Sequence, residues 1–249
     1  MLLFASCSHM YEIKQGTFQE NSLQFDVFSI PVKNWFTENV KVAIGQEKHV
    51  MLVFWKAGLV LLAVPKTGTQ AYEAMLAEEA DVVLRHPPGL KHMPAQKFTR
   101  KFLPLLGPDA VDRLESAAVI REPLDWLGSW FRYRSRPQLD GHPNSTAGQS
   151  FDAFVDAYLE DEPPAFARVG AQARFVSNAQ GKVIVDHLFA FEKPVAFRAF
   201  LSERLGKNTP EPPPRNVSPT RKLVLSSELE ARLRQKHAAD FALHEKLVQ

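Results

Sequence analysis

Five consecutive residues, Pro65-Lys66-Thr67-Gly68-Thr69, bring together the groups that bind an anion. They lie between a long apolar run and a segment with helical spacing. At a strand-to-helix turn the first helical N–H groups have no intrahelical carbonyl, and the helix dipole adds partial positive charge, so negative charge is stabilised there. Gly68 lets the backbone come close, Thr67 and Thr69 add hydroxyl donors, and Lys66 adds a mobile full charge. The same residues also suit an ordinary turn with incidental polar side chains. The local pattern leaves both readings open.

The turn is not the loop of the nucleotide hydrolases, which requires G-x-x-x-x-G-K-[ST] with a hydroxyl held on magnesium. Here the lysine precedes the glycine and the loop is too short. That order resembles the 5′-phosphosulfate loop of the PAPS-dependent sulfotransferase superfamily, whose usual form is P-K-[TS]-G-T-[TS]. The chain departs from it at Gln70, which stands where a hydroxyl is usual and can still donate through its amide. The resemblance implies a P-loop-like sulfotransferase fold, an α/β three-layer sandwich with a central parallel sheet. It also implies PAPS (3′-phosphoadenylyl sulfate) as donor, PAP as product, and no metal.

The family's second signature is an arginine ending a strand and a helical serine eight residues on, both on the donor's 3′-phosphate. Arg121 and Ser129 stand at that spacing. An arginine fork suits a dianionic phosphate, and a hydroxyl two turns into the helix closes its other side. A surface arginine and a space-filling serine between Trp126 and Trp130 are the bland alternatives. Further on, Arg215-Asn216-Val217-Ser218 resembles the N-x-S segment of the carbohydrate-type, Golgi-like branch. By resemblance that loop closes over the nucleotide through Arg215, Asn216 and Ser218, with Arg221 and Lys222 as nearby charge. The likeness covers residues 52–247 in layout, but only the two short motifs are specific.

Sulfuryl transfer needs in-line positioning and charge compensation on the leaving oxygen. Lys66 is the expected source of that charge. An acceptor hydroxyl also benefits from a base of near-neutral pKa, for which histidine is suited. Two candidates follow the second expected strand, in a loop where parallel sheets bind ligands: His92, just before a helix leading to Phe98, and His86 as second choice. Both also read as ordinary loop histidines. His237 falls on an apolar helical row and reads as structural. The eight histidines are scattered, and no cluster has metal-ligand spacing. Trp126, Trp130, Phe131 and Tyr133 with Arg132, Arg134 and Arg136 read either as a groove for a sugar or acidic substrate or as core plus solvated face. The acceptor is a small molecule or a glycan, the latter favoured by the branch. A nucleotide kinase with a variant loop, a non-catalytic PAP- or PAPS-binding protein and a scaffold that keeps only the fold are the rivals.

The elements that must hold these residues are legible from apolar pattern. Leu59 to Val64, bounded by Gly58 and Pro65, reads as a strand buried on both faces of a parallel sheet. A helix with Tyr72, Met75 and Leu76 on one stripe follows the turn. Asp81–Leu84, Ala117–Ile120 and a stretch around Val183-Ile184-Val185 read as further strands. Residues 94–115 read as helical and broken at Pro104 and Gly107-Pro108. Helices are expected at 123 onward, at 150–160, 168–178 and 194–205, and from Ser227, with Ser227 and Glu230 at capping-box spacing. Strands alternating with helices imply a sheet covered on both sides.

Composition sets the outer limits. The chain has 249 residues, 45% hydrophobic and 23% charged, which suits one sizeable α/β domain, here residues 51–249. Residues 1–50 lack a sustained period and read as a peripheral extension, or as a stretch upstream of a true start at Met51. A net charge of +2 excludes the concentrated basic face of a nucleic-acid binder but allows a local anion site. The single cysteine, Cys7, forms no internal disulfide, and residues 1–7 lack a signal's basic start, so a reducing cytoplasm is the expected compartment. The longest apolar run, Met51–Val64, holds Lys56 and Gly58 and falls short of the roughly 20 residues of a spanning helix, so no stable membrane insertion is expected. Nothing in the pattern fixes an oligomeric state.

Overall fold

Met51-Leu52-Val53-Phe54 and Leu59-Val60-Leu61-Leu62 are separated by only four residues, too few for any parallel crossover, which needs a dozen or more. In the computed structural model, which describes residues 51–213 and 223–249, the two segments pair as an antiparallel hairpin of β1 (Met51–Phe54) and β2 (Leu59–Leu62). Gly58 closes the turn in the left-handed region at φ 61°, its N–H donating to Trp55 O at 3.2 Å. The expectations for residues 1–50 lie outside the described residues.

The helix α1 (Thr69–Leu76) follows the phosphate turn, and β3 (Val82–Leu84) pairs antiparallel with β1. Short helical turns occupy residues 88–113, broken at Gly107 as the sequence implies. β4 (Glu115–Ile120) runs parallel to β2, with Leu61 opposite Ala117 and Leu62 opposite Ala118. Beyond it come α2 (Pro123–Arg134), α3 (Phe151–Tyr158), α4 (Gln172–Val176), β5 (His187–Ala190), α5 (Pro194–Leu205), α6 (Ser227–Lys236) and α7 (Ala238–Val248). β5 runs parallel to β4, and the strand order is β3-β1-β2-β4-β5.

The α/β class holds, but the sheet is mixed rather than parallel. β2, β4 and β5 form a parallel core, while β1 is inserted antiparallel between β2 and β3, so that β3 again runs in the direction of β2. The last strand also lies later than expected. Val183 makes only an isolated bridge to Ser177, because Asp186 Oδ2 accepts Ser116 N–H (2.7 Å) and Ser116 Oγ (2.8 Å), and ladder pairing starts beyond it. The final helix is two: His237, at φ −111° and ψ 31°, breaks it, and the N-cap is Ser226 without a side-chain cap bond.

Side chains alternate across the strands, so each face has its own core. Leu52, Phe54, Leu59, Leu61, Ala117 and Val119 meet Leu76 of α1 and Phe197 and Leu201 of α5. Met51, Val53, Val60, Leu62, Ala118 and Ile120 meet Met93, Phe98, Leu103 and Phe175 on the opposite face. A third cluster joins Trp126, Leu127 and Phe131 of α2 to Phe154 of α3, Leu233 of α6 and Phe241 of α7. No helix among the described residues is long and apolar enough to cross a membrane.

Gly58 is the residue on which the hairpin turns. A Cβ there would lie 2.7 Å from Arg113 O, besides the cost of a left-handed side-chain residue. Gly58→Ala should therefore lower stability by about 1–3 kcal/mol in urea unfolding, and an unchanged midpoint would contradict this account of the turn.

Candidate anion-binding site and base

Because β2 and β4 are parallel neighbours in register, Pro65 and Arg121 leave the sheet side by side. α1 then packs through Leu76 on one face of the sheet, while α2 joins the third cluster. The carboxyl ends of parallel strands are where open α/β sheets bind ligands.

The turn itself is shaped for an anion. Lys66 (φ 65°) and Gly68 (φ 73°) are both left-handed and flank Thr67, an alternation that aims successive N–H groups at one point. Left-handed lysine costs about 1 kcal/mol or more, and such strain persists where the surroundings or a ligand require it. No side chain caps α1, whose N-cap is Gly68, so its first N–H groups face the turn. A Cβ on Gly68 would lie 2.9 Å from the Phe191 ring, so only glycine fits here.

The two threonines point inward. Thr67 is 2% exposed and its hydroxyl donates to Val64 O at 2.8 Å, stitching the turn to the end of β2. Thr69 Oγ1 is buried with no hydrogen-bond partner among the described residues. A buried hydroxyl left unmade costs about 1–3 kcal/mol, which an anionic oxygen would relieve. Lys66 Nζ sits 4.0 Å from the Tyr133 ring centre, a cation–π contact on the aromatic stripe of α2. Trp126 Nε1 donates to Pro65 O at 2.8 Å and holds the turn from below. Gln70 follows on the first turn of α1, half-buried.

Arg121 stands beside the turn. Its Nη1 donates to Lys66 O at 3.4 Å, and its guanidinium stacks 4.5 Å from the Phe191 ring centre. Asp125 takes its Nε at 2.6 Å and also pairs with Nη2 and with Arg132 (3.3 Å). Three of the five guanidinium N–H donors are thus engaged and two remain. Asp125, Ser129 and Arg132 share a stripe of α2 at helical spacing, and Ser129 is 8% exposed. Arg215, Asn216 and Ser218 lie outside the described residues. The chain re-emerges against this stripe, for Leu223 Cδ1 lies 2.9 Å from where a Cβ on Gly128 would be.

His92 belongs to the same end of the sheet. Its Nδ1 lies 2.8 Å from Ala63 O, two residues before Pro65. A carbonyl can only accept, so Nδ1 carries the proton of this bond. His86 is exposed and follows β3, which is separated from β2 by β1. His237 stacks on Tyr158 with ring centres 4.5 Å apart, as its place on an apolar row implies. The basic stripe of α2 divides between tasks. Buried Arg134 donates to Ala165 O and Arg168 O, while Arg136 covers Tyr133 at 4.9 Å. Phe131 is core.

Three residues with no sequence signal, Gln172, Glu122 and Glu192, complete the support. Gln172, 2% exposed, accepts from Arg121 N–H through Oε1 (2.9 Å) and donates to Arg121 O through Nε2 (2.7 Å). Its amide thus acts as an added strand segment at the end of β4. Glu122 caps α2 by accepting from Asp125 N–H at 2.7 Å, and Glu192 in turn accepts Glu122 N–H at 2.8 Å. A lone glutamine among apolar residues gives no pattern that distinguishes it from an exposed one.

A cleft of about 870 Å³ opens on the far side of Pro65, between the segment after His92 and α4. Comparison with family models, curated proteins and solved structures returns no match to this chain.

Gln172→Leu keeps the volume but removes both bonds to Arg121. It should cost about 2 kcal/mol or more in chemical unfolding, since a buried peptide N–H and C=O lose their partners together. Stability equal to the native chain would show that the amide is not what fixes the end of β4.

Proposed function

We propose that the chain is a sulfotransferase that moves a sulfuryl group from PAPS to a hydroxyl, or an amine, of a small-molecule or glycan acceptor. The observation that carries this reading is the contact between Arg121 Nη1 and Lys66 O, which joins a left-handed anion turn and an arginine at adjacent parallel strand ends. Two anion sites on one crevice suit a nucleotide with phosphates at both the 5′ and 3′ positions. The order of lysine before glycine favours a phosphosulfate over a nucleoside triphosphate on magnesium.

The donor, when bound, supplies an activated sulfuryl group whose bond to the bridging oxygen of its phosphosulfate breaks as a new S–O bond forms to the acceptor. The backbone N–H groups of Gly68 and α1 bind and orient the 5′ end. Lys66 leaves the Tyr133 ring to compensate charge on the departing oxygen, which is where its contribution grows during the reaction. Arg121, steadied by Gln172, Asp125 and Phe191, holds the 3′-phosphate, with Ser129 on its other side. His92 Nε2 takes the acceptor proton, its ring orientation set by the bond from Nδ1 to Ala63 O. A binder without catalysis would share the anion crevice and differ at the lysine and the histidine.

PAP should raise the melting temperature substantially and ATP with magnesium far less, since stabilisation follows RT ln(1 + [L]/Kd). Equal shifts from both would sink the donor assignment. In turnover with labelled PAPS and a hydroxyl acceptor, Lys66→Ala should lower kcat far more than it weakens PAP. His92→Ala should lower kcat by roughly 10²–10⁴-fold with PAP affinity intact. Full turnover without His92 would remove the base assignment, and turnover lost only with His86→Ala would transfer it there.

A further inference from the structure

The cleft beside Pro65 has the size of a ligand site and an uneven charge. Its volume of about 870 Å³ falls in the range that encloses a drug-sized molecule. Val64 and Pro65 give it one wall in common with the anion turn, and Pro94, two residues past His92, gives it another. Among the described residues, Lys97 and Arg174 are the charged side chains on its lining, and no carboxylate lines it. Both cations are exposed, and among the described residues neither has an ion-pair partner. Arg121, Arg132, Arg204 and Arg232, by contrast, each pair with a carboxylate. Two cations around one cavity whose described lining holds no carboxylate favour an anionic occupant.

The wall that carries Arg174 is fixed rather than loose. Tyr158 Oη donates to Gly170 O at 2.7 Å, and burial pushes its hydroxyl pKa up, so it stays a neutral donor. Asp240 Oδ1 accepts Ala173 N–H at 2.8 Å, and Gln172 is clamped to Arg121. Gly170, Gln172 and Ala173 of the wall are thereby tied to α3, to the residue that follows β4 and to α7. Such a wall pays little ordering entropy when a ligand arrives. Phe175 and Trp126 add apolar surface to the lining, and Gln96, Ser177 and Asn178 add polar groups without net charge.

We propose that this cleft seats the acceptor and selects one that carries a carboxylate beside its hydroxyl groups, read by Lys97 and Arg174. The assignment rests on the sulfotransferase reading for the role of the occupant. The charge selection itself rests only on the cleft.

The test compares β-methyl glucuronide with β-methyl glucoside, which differ only in a carboxylate for a hydroxymethyl group. Ligand-observed NMR titration of the full chain, with PAP present, should show the glucuronide binding about tenfold more tightly. Two exposed charge contacts of up to about 0.7 kcal/mol each correspond to that factor. In the double variant Lys97→Met, Arg174→Met the preference should fall to twofold or less. Both positions are exposed, so the variant should fold, which its unchanged unfolding curve would verify. Equal binding of the two sugars, binding of neither, or a preference that survives the double substitution overturns the proposal. The PAP melting shift on the native chain reads the donor assignment separately. A carboxylate preference without any PAP shift would keep the cleft's selectivity and discard the transferase role.

Discussion

Parallel pairing of β2 with β4 is the constraint from which the rest of the site follows. With Leu62 opposite Ala118, the chain leaves the two strands at one level, and the next residues of each are Pro65-Lys66 and Arg121. Neither segment could bind a two-phosphate nucleotide alone. The turn offers backbone N–H groups and one mobile ammonium; Arg121 offers a planar fork. Under the proposed function, side by side they would offer two anion sites at neighbouring strand ends, and His92 is tied to the same strand end through Ala63 O. The hairpin partner β1 begins at this end, with Leu52 opposite Leu61; its antiparallel direction alters the class of sheet, while the parallel register of β2 and β4 is kept.

The cations at the crevice have partners within the chain. Asp125 occupies Arg121 and Arg132 together, and Lys66 rests on Tyr133. These contacts cost affinity, because a phosphate must compete with a carboxylate, but they hold the guanidinium in one orientation between Phe191 and Asp125. Pre-organisation of this kind trades binding energy for geometry. The buried Thr69 hydroxyl is the opposite case, a donor whose partner is supplied by no described residue.

Much of this was legible in the sequence because its signals are local. Pro65 to Thr69 and Arg121 to Ser129 are short motifs whose spacing survives whatever surrounds them, and Gly206 ends α5 where a glycine stop is expected. What escaped depends on contacts distant in the chain. Gly58 read as a strand boundary, whereas the four residues around it make a hairpin, so the sheet became mixed. β5 shifted from Val183-Ile184-Val185 to His187–Ala190 because Asp186 bonds to Ser116, 70 residues earlier. Gln172 and Glu192 support the site through side-chain bonds across 51 and 70 residues, and no periodicity marks them.

The claim that one crevice holds both ends of the donor is tested most directly by removing one phosphate from the ligand and one cation from the protein. Calorimetric affinities of PAP and adenosine 5′-monophosphate should be measured for the native chain and for Arg121→Ala. A 3′-phosphate read by an arginine fork should make PAP bind at least about tenfold more tightly than the monophosphate, and Arg121→Ala should remove that difference while leaving the monophosphate nearly unaffected. Equal affinities for the two nucleotides, or a PAP preference that persists in Arg121→Ala, would contradict the account.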